Sequence, residues 1–127
     1  MGIMMALFDT NILVDYLEGF LEAKEELQSC EKPCISIMTW MEVLVGAKDE
    51  NREKITRDLL SRFTLLFLTT DVAEKAIIIR KEKRIKLPDA IIWATAKCHN
   101  LILITRNTKD FPSHESDIKI PYHLQKN

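Results

Sequence analysis

Apolar residues along this chain fall into two kinds of run. Short continuous blocks read as buried strands, and longer stretches with apolar positions every three or four residues read as helices. Met5 to Phe8 is the first block and ends at Asp9. Ile12, Leu13, Tyr16 and Leu17 then recur at helical spacing until Gly19 interrupts them, and a second helix is expected over Phe20 to Ser29. Pro33 stops anything helical, so Cys34 to Ile37 is read as a short strand. Thr39, with Glu42 three residues on, has the form of a capping box opening a helix that Gly46 ends. From Glu50 to Phe63, the residues Ile55, Leu59 and Phe63 make one stripe on a charged helix. Thr64 to Leu68 reads as a strand, and Asp71 with Glu74 caps a helix carrying Val72, Ala76 and Ile79 on one face. Pro88 begins a helix to about Asn100 that is apolar on nearly every side (Ile91, Ile92, Trp93, Ala94, Ala96), which predicts a central, buried position. Leu101 to Thr105 has the continuous β-type run of a strand covered on both faces, and Ile118 to Tyr122 adds an edge strand. Alternating strands and helices predict an α/β fold: a parallel sheet with helices on both faces, as one domain over residues 1–127.

Composition narrows the class. With 127 residues, 46% hydrophobic and 29% charged, the chain suits one compact soluble domain and excludes a disordered one. A formal net charge of −1 excludes a general polyanion binder, so any contact with nucleic acid must come from local basic patches. No apolar stretch approaches the roughly 20 residues that span a bilayer. Met1-Gly2-Ile3-Met4-Met5 lacks the cationic flank of a signal peptide, and the expectation is a first strand in a cytoplasmic protein. The three cysteines, Cys30, Cys34 and Cys98, fit a reduced compartment. Cys30 and Cys34 with Cys98-His99 are a weak match to a zinc site, and buried unreactive thiols are the better account.

Four segments at the edges of apolar runs carry the candidate chemistry: Phe8-Asp9-Thr10-Asn11, Met41-Glu42-Val43, Pro88-Asp89-Ala90 and Thr105-Arg106-Asn107. Each acid has a bland explanation. Asp9 suits an N-cap, Glu42 completes the capping box, Asp89 complements a helix dipole, and Asn107 suits a turn. Their joint placement argues for more. Asp9 and Asn107 follow two core strands, and Asp89 starts the helix that feeds the second of them. In a parallel sheet these three share one edge, where α/β folds bind ligands, and only Glu42 needs its helix to swing it in. Three carboxylates and an amide gathered there stay ionised only with a cation, which marks a divalent-metal site for phosphate chemistry.

Leu7-Phe8-Asp9-Thr10-Asn11-Ile12-Leu13, Thr39-x-x-Glu42-Val43-Leu44-x-Gly46, Leu87-Pro88-Asp89-Ala90-Ile91-Ile92-x-Ala94-x-Ala96 and Leu103-Ile104-Thr105-Arg106-Asn107-x-x-Asp110-Phe111 together resemble the PIN-domain ribonucleases. Within that family they are most similar to the VapC toxins of toxin–antitoxin pairs. The resemblance runs from about residue 5 to residue 111. It implies a Mg²⁺- or Mn²⁺-dependent endoribonuclease that cleaves structured RNA, with transfer RNA the family-level expectation and inhibited translation the consequence. It also implies a homodimer and a cognate VapB-type antitoxin, with DNA contacted only through that antitoxin and no membrane involved. Carried over by position, Asp9, Glu42 and Asp89 are the expected metal ligands. They are also the expected catalytic residues, together with Asn107. Asn107 stands where many relatives carry a fourth Asp, and Asp110 is placed to substitute in part. Thr10, Thr105 and Arg106 match supporting positions along the cleft.

No histidine lies in these motifs, since His99, His114 and His123 are elsewhere, which argues against metal-independent histidine chemistry. Arg80-Lys81-Glu82-Lys83-Arg84-Ile85-Lys86 places five cations just before Asp89, either as a solvated helix end or as a phosphate-contact patch. Trp40, Trp93 and Phe20 are expected in the core or at an interface. Two other functions compete with this one. A haloacid-dehalogenase-like phosphatase needs a second Asp at position 11, which is Asn11. A catalytically weak or inactive protein-binding module on the same fold is favoured only by Asn107.

Overall fold

The structure, a computed structural model, describes residues 3–124. The elements run β1 (Ile3–Phe8), α1 (Thr10–Leu17), α2 (Leu21–Gln28), β2 (Cys30–Ser36), α3 (Ile37–Val45), α4 (Glu50–Leu60), β3 (Thr64–Leu66), α5 (Thr70–Lys83), α6 (Leu87–Cys98), β4 (Ile102–Ile104) and β5 (Ile118–Lys119). The strands form one parallel sheet in the order β3-β2-β1-β4-β5. The expected α/β fold is therefore the observed one. Met1 and Gly2, at the start of the expected first strand, lie outside the described residues, as do residues 125–127.

Strand alternation divides the core into two apolar layers. On β1, Leu7 faces one side while Ala6 and Phe8 face the other; Cys34 and Ile35 on β2, and Leu103 and Ile104 on β4, split the same way. Val72, Ala76 and Ile79 of α5 and the buried run Ala90–Ala96 of α6 cover the first face. Ile12, Leu13, Ala23, Leu59 and Leu60 from α1, α2 and α4 cover the second. Each fully buried Leu, Ile or Phe contributes about 1.5–3 kcal/mol by leaving water. Trp93 is wholly buried and meets Phe111 edge-on at 5.7 Å, while its indole N–H donates to Asp117 at 2.9 Å. Burial of so large a ring therefore leaves no unpaired donor.

Several local expectations change. Pro33 lies inside β2, paired with Ala6. The neighbour β3 begins opposite Cys34, so β2 is an edge strand at Pro33, where a proline is tolerated. The cap of α3 is Ser36, whose hydroxyl accepts from Thr39 N at 3.1 Å; Thr39 is already inside the helix, and Glu42 is not part of a capping box. On α4 the buried stripe is Thr56, Leu59 and Leu60, while Ile55 is exposed and Phe63 lies past the helix end. Thr69, not Asp71, caps α5 through Val72 N at 3.2 Å. Strand β3 stops at Leu66, leaving Phe67 and Leu68 exposed. Gly19 adopts φ +91, the left-handed backbone that lets α1 turn at once into α2.

All five strands point the same way, so β1, β2 and β4 deliver Asp9, Ser36 and Thr105 to one edge of the sheet. The first turn of α6 brings Asp89 there.

Candidate active site

Asp9 continues the ladder for one residue past β1, with its N–H donating to Ile104 O at 2.9 Å, and then turns into α1 as its N-cap. It is 3% exposed. Asp9 Oδ1 accepts from Thr10 N at 2.8 Å, and Oδ2 accepts from Thr105 Oγ1 at 2.7 Å and from Asn11 Nδ2 at 3.1 Å. Burial pushes the Asp9 carboxyl above its usual range and the Glu42 charge adds to this; the bonds from Thr105, Thr10 and Asn11 pull the other way without cancelling it. Asp9 is thus both a helix cap and a held, buried acid.

Glu42 reaches the site from the middle of α3. Thr10 Oγ1 contacts Glu42 Oε1 at 2.6 Å and Thr39 Oγ1 at 3.1 Å. With one proton to give, the Thr10 hydroxyl donates to the carboxylate and accepts from Thr39. Thr39 in turn accepts from Ser36 Oγ at 3.4 Å. A line of three hydroxyls from the end of β2 therefore aims one oxygen of Glu42.

Asp89, half-buried in the first turn of α6, is pushed up to about 6 by burial first and then by the charges of Asp9, Asp110 and Glu42. Four acids therefore feel one another at this edge, and none forms an ion pair among the described residues. A donor set made only of carboxylate oxygen suits a hard divalent cation such as Mg²⁺ or Mn²⁺. Among the described residues no three acidic, histidine or cysteine side chains are drawn close enough to enclose an ion directly. An ion here would keep waters between itself and part of the set, as Mg²⁺ characteristically does.

Asn107 is turned toward its own loop. Its amide oxygen accepts from Lys109 N and Asp110 N, both at 3.2 Å, and its Nδ2 donates to Asp110 Oδ2 at 2.9 Å. The amide thus orients Asp110, whose charge bears on Asp89. Thr105 is wholly buried, donating to Asp9 while its oxygen accepts from Asn107 N at 3.0 Å and Asn11 Nδ2 at 3.2 Å. Arg106 turns away from the acids. Its Nε and Nη2 donate to the two oxygens of buried Asp15 at 2.7 and 2.9 Å, and Tyr122 Oη donates to Asp15 Oδ2 at 2.9 Å.

Asn11, Asp15 and Tyr122 went unassigned in the sequence. The available signal was Asp15, an acid four residues after Asn11 on a helix that otherwise reads as apolar. Cys30 and Cys34 are buried, as expected, their thiols pushed up chiefly by burial, whereas Cys98, also expected to be buried, is exposed near the end of α6. In the basic run, Lys83 pairs with Glu115 at 3.0 Å, while Arg80, Lys81, Arg84 and Lys86 are exposed and make no ion pair among the described residues. Trp93 belongs to the core, and half-buried Trp40 carries the Arg57 guanidinium over its ring. No helix among the described residues is long and apolar enough to cross a membrane.

Acids from a strand end and a helix start, gathered at the carboxyl edge of a five-stranded parallel sheet, place the chain among the α/β proteins whose sites lie at that edge. Residues 6–115 match the PIN domain family, and the chain belongs to it. Ribonuclease VapC10 of Mycobacterium tuberculosis is 32% identical over 126 residues, an alignment covering 93% of each chain. A chain of a toxin-antitoxin complex from Klebsiella pneumoniae is 49% identical with a TM-score of 0.88, matched over 94% of this chain and 99% of that one. The FitAcB structure from Neisseria gonorrhoeae has a chain 26% identical with a TM-score of 0.79, matched over 95% and 100%.

Proposed function

We propose that this chain is a Mg²⁺- or Mn²⁺-dependent endoribonuclease, the toxin of a toxin–antitoxin pair, which cuts structured RNA in the cytoplasm and so halts translation. Transfer RNA is the expected substrate class. The observation that carries this reading is the set Asp9, Glu42, Asp89 and Asp110, mutually repelling and without a cationic partner among the described residues. Similarity to a named ribonuclease and to the chains of toxin–antitoxin complexes supports the substrate and the partner.

When bound, the metal supplies a water acidic enough to attack phosphorus at neutral pH and positive charge for the phosphate oxygens. Asp9 and Asp89 are the residues that would hold it. Thr105, Asn11 and Thr10 N fix the Asp9 carboxylate, so little reorganisation is needed on binding. Thr10 pins Glu42 Oε1, which leaves Oε2 to accept a proton from a water at the site. Asn107 steers Asp110 and thereby restores part of the charge that position 107 lacks. A VapB-type antitoxin and a second copy of the chain are the expected partners. Val45, Phe67, Ile77 and Ile78 are exposed apolar side chains of the kind such partners cover.

Purified chain incubated with cellular RNA and Mg²⁺ tests the reading. Cleavage that EDTA stops and Asp9→Asn removes, with the variant still folded, is expected. The same gene should arrest growth when expressed without its neighbouring antitoxin. Cleavage that persists in EDTA or in Asp9→Asn overturns the metal role. No cleavage of any RNA by a folded, Mg²⁺-binding chain favours the inactive binding module instead.

A further inference from the structure

Arg106 sits in the loop that supplies Thr105 and Asn107, yet its charge is withheld from the acids. Its backbone N–H donates to Asn11 Oδ1 at 3.1 Å, and the same Asn11 amide donates to Asp9 Oδ2 at 3.1 Å. The Arg106 main chain is therefore two hydrogen bonds from the buried Asp9 carboxylate. An arginine side chain spans such a distance easily, and an unpaired acid cluster is where a free guanidinium settles. Asp15 prevents this. It lies one helical turn, about 6 Å, beyond Asn11 on α1, and it engages the guanidinium through both oxygens. Tyr122, from the segment after β5, donates a third bond to Asp15. Asp15 is only 2% exposed. Burying an ion pair is a poor way to gain stability, because desolvation offsets most of the attraction, whereas its two-pronged geometry fixes orientation well. The position of the pair, on the same helix face that holds Asp9, supplies the reason for that orientation.

We propose that Asp15 is a positioning residue which, seconded by Tyr122, holds the Arg106 guanidinium off the acidic cluster so that a divalent cation, and not this arginine, neutralises it. The inference rests on the metal-dependent reading above. It predicts that freeing Arg106 creates an internal competitor for the cation, and that deleting the competitor undoes the damage.

The test is a Mn²⁺ titration of the full chain without RNA, followed by electron paramagnetic resonance, on wild type, Asp15→Asn, Arg106→Gln and the double variant, with thermal melting alongside. Asp15→Asn is expected to bind Mn²⁺ about tenfold more weakly, the scale of one charge-assisted bond. Arg106→Gln is expected to match wild type, and the double variant to recover to within about twofold despite a lower Tm. Tyr122→Phe removes only one bond to Asp15 and should weaken binding less, again reversibly by Arg106→Gln, which keeps the idea testable if Asp15→Asn does not fold. A purely structural ion pair predicts the opposite: lowered Tm in Asp15→Asn with unchanged Mn²⁺ affinity, or a double variant no better than Asp15→Asn. Either outcome overturns the positioning role alone. A folded wild type that takes up no Mn²⁺ overturns the metal reading itself.

Discussion

Thr10 Oγ1 donates to Glu42 Oε1 at 2.6 Å, joining the first residue of α1 to the middle of α3. The bond fixes a carboxylate that α3 alone leaves free to turn into solvent. Thr10→Val should therefore lower the RNA cleavage rate by roughly ten- to a hundredfold while keeping the fold, since a hydrogen bond to a charged group is worth roughly 1.5–3 kcal/mol. Thr10→Ser should restore most of it. Cleavage assays with circular dichroism decide this, and a fully active Thr10→Val would remove Glu42 orientation from the account.

Asp89 gives the site a pH dependence with a definite sign. Its usual value is near 3.8, and in the fold it is pushed up to about 6. Between about pH 4 and 6 the folded chain keeps a proton that the unfolded chain has released. Metal-free stability should thus fall as pH rises through this window, and the loss is complete above the folded value. Asp9, also raised, acts in the same direction. Melting curves in EDTA should show the decline in wild type and a flatter profile in Asp89→Asn. Mg²⁺ should reverse it, and Mg²⁺ affinity should strengthen as pH passes about 6.

Removing an acid from the cluster should abolish function without harming the fold. Asp89→Asn at neutral pH is expected to be inactive and, in EDTA, at least as heat-stable as wild type, because a repulsive, partly desolvated charge is gone. Asp9→Asn is expected to be inactive but not stabilised, since Asp9 also accepts three hydrogen bonds. Toxicity on expression and Tm in EDTA check both. Retained RNA cleavage by either variant removes that residue from the metal set.

Asn107 Nδ2 donates to Asp110 Oδ2 at 2.9 Å and so orients that acid. Asp110→Asn should weaken Mn²⁺ binding several-fold, roughly 1 kcal/mol for one partly screened charge. Asn107→Asp places an acid beside Asp110 and should tighten binding of a second ion only when Asp110 is neutralised. Calorimetric titration of both variants and of the pair gives the coupling. Two tight Mn²⁺ sites in the wild type would show that the amide at 107 costs the site nothing.

Ser36→Ala should cost about 1 kcal/mol of stability, the usual loss on removing a side-chain helix cap. Thr39→Val should act chiefly on activity, because Thr39 serves Thr10 rather than the helix end. Urea denaturation compared with cleavage rates separates the two. Equal losses of stability would mean that the cap is shared.

The order of strands and helices, the two-faced sheet and the buried α6 were legible in the chain because each follows from local apolar periodicity. Asp9 and Asp89 were legible too, since an acid directly after a strand or opening a buried helix has few places to go in a parallel sheet. Other features depended on contacts that no local pattern encodes. Ser36 and Thr39 are both favoured cap types, and the pairing of Ser36 with Leu66 on β3 carries the strand as far as Ser36. Ile55 and Thr56 are adjacent on α4, and only the way that helix packs against α3 puts Thr56 inside and Ile55 outside. Arg106 and Asp15 are 91 residues apart, and Tyr122 is 107 from Asp15. The sequence determined which elements form and which acids stand at their ends, because those are short-range matters of propensity and burial. Tertiary structure alone decided which charge meets which, because strand order brings distant segments side by side, and a charge is paired or left free by its neighbours in space.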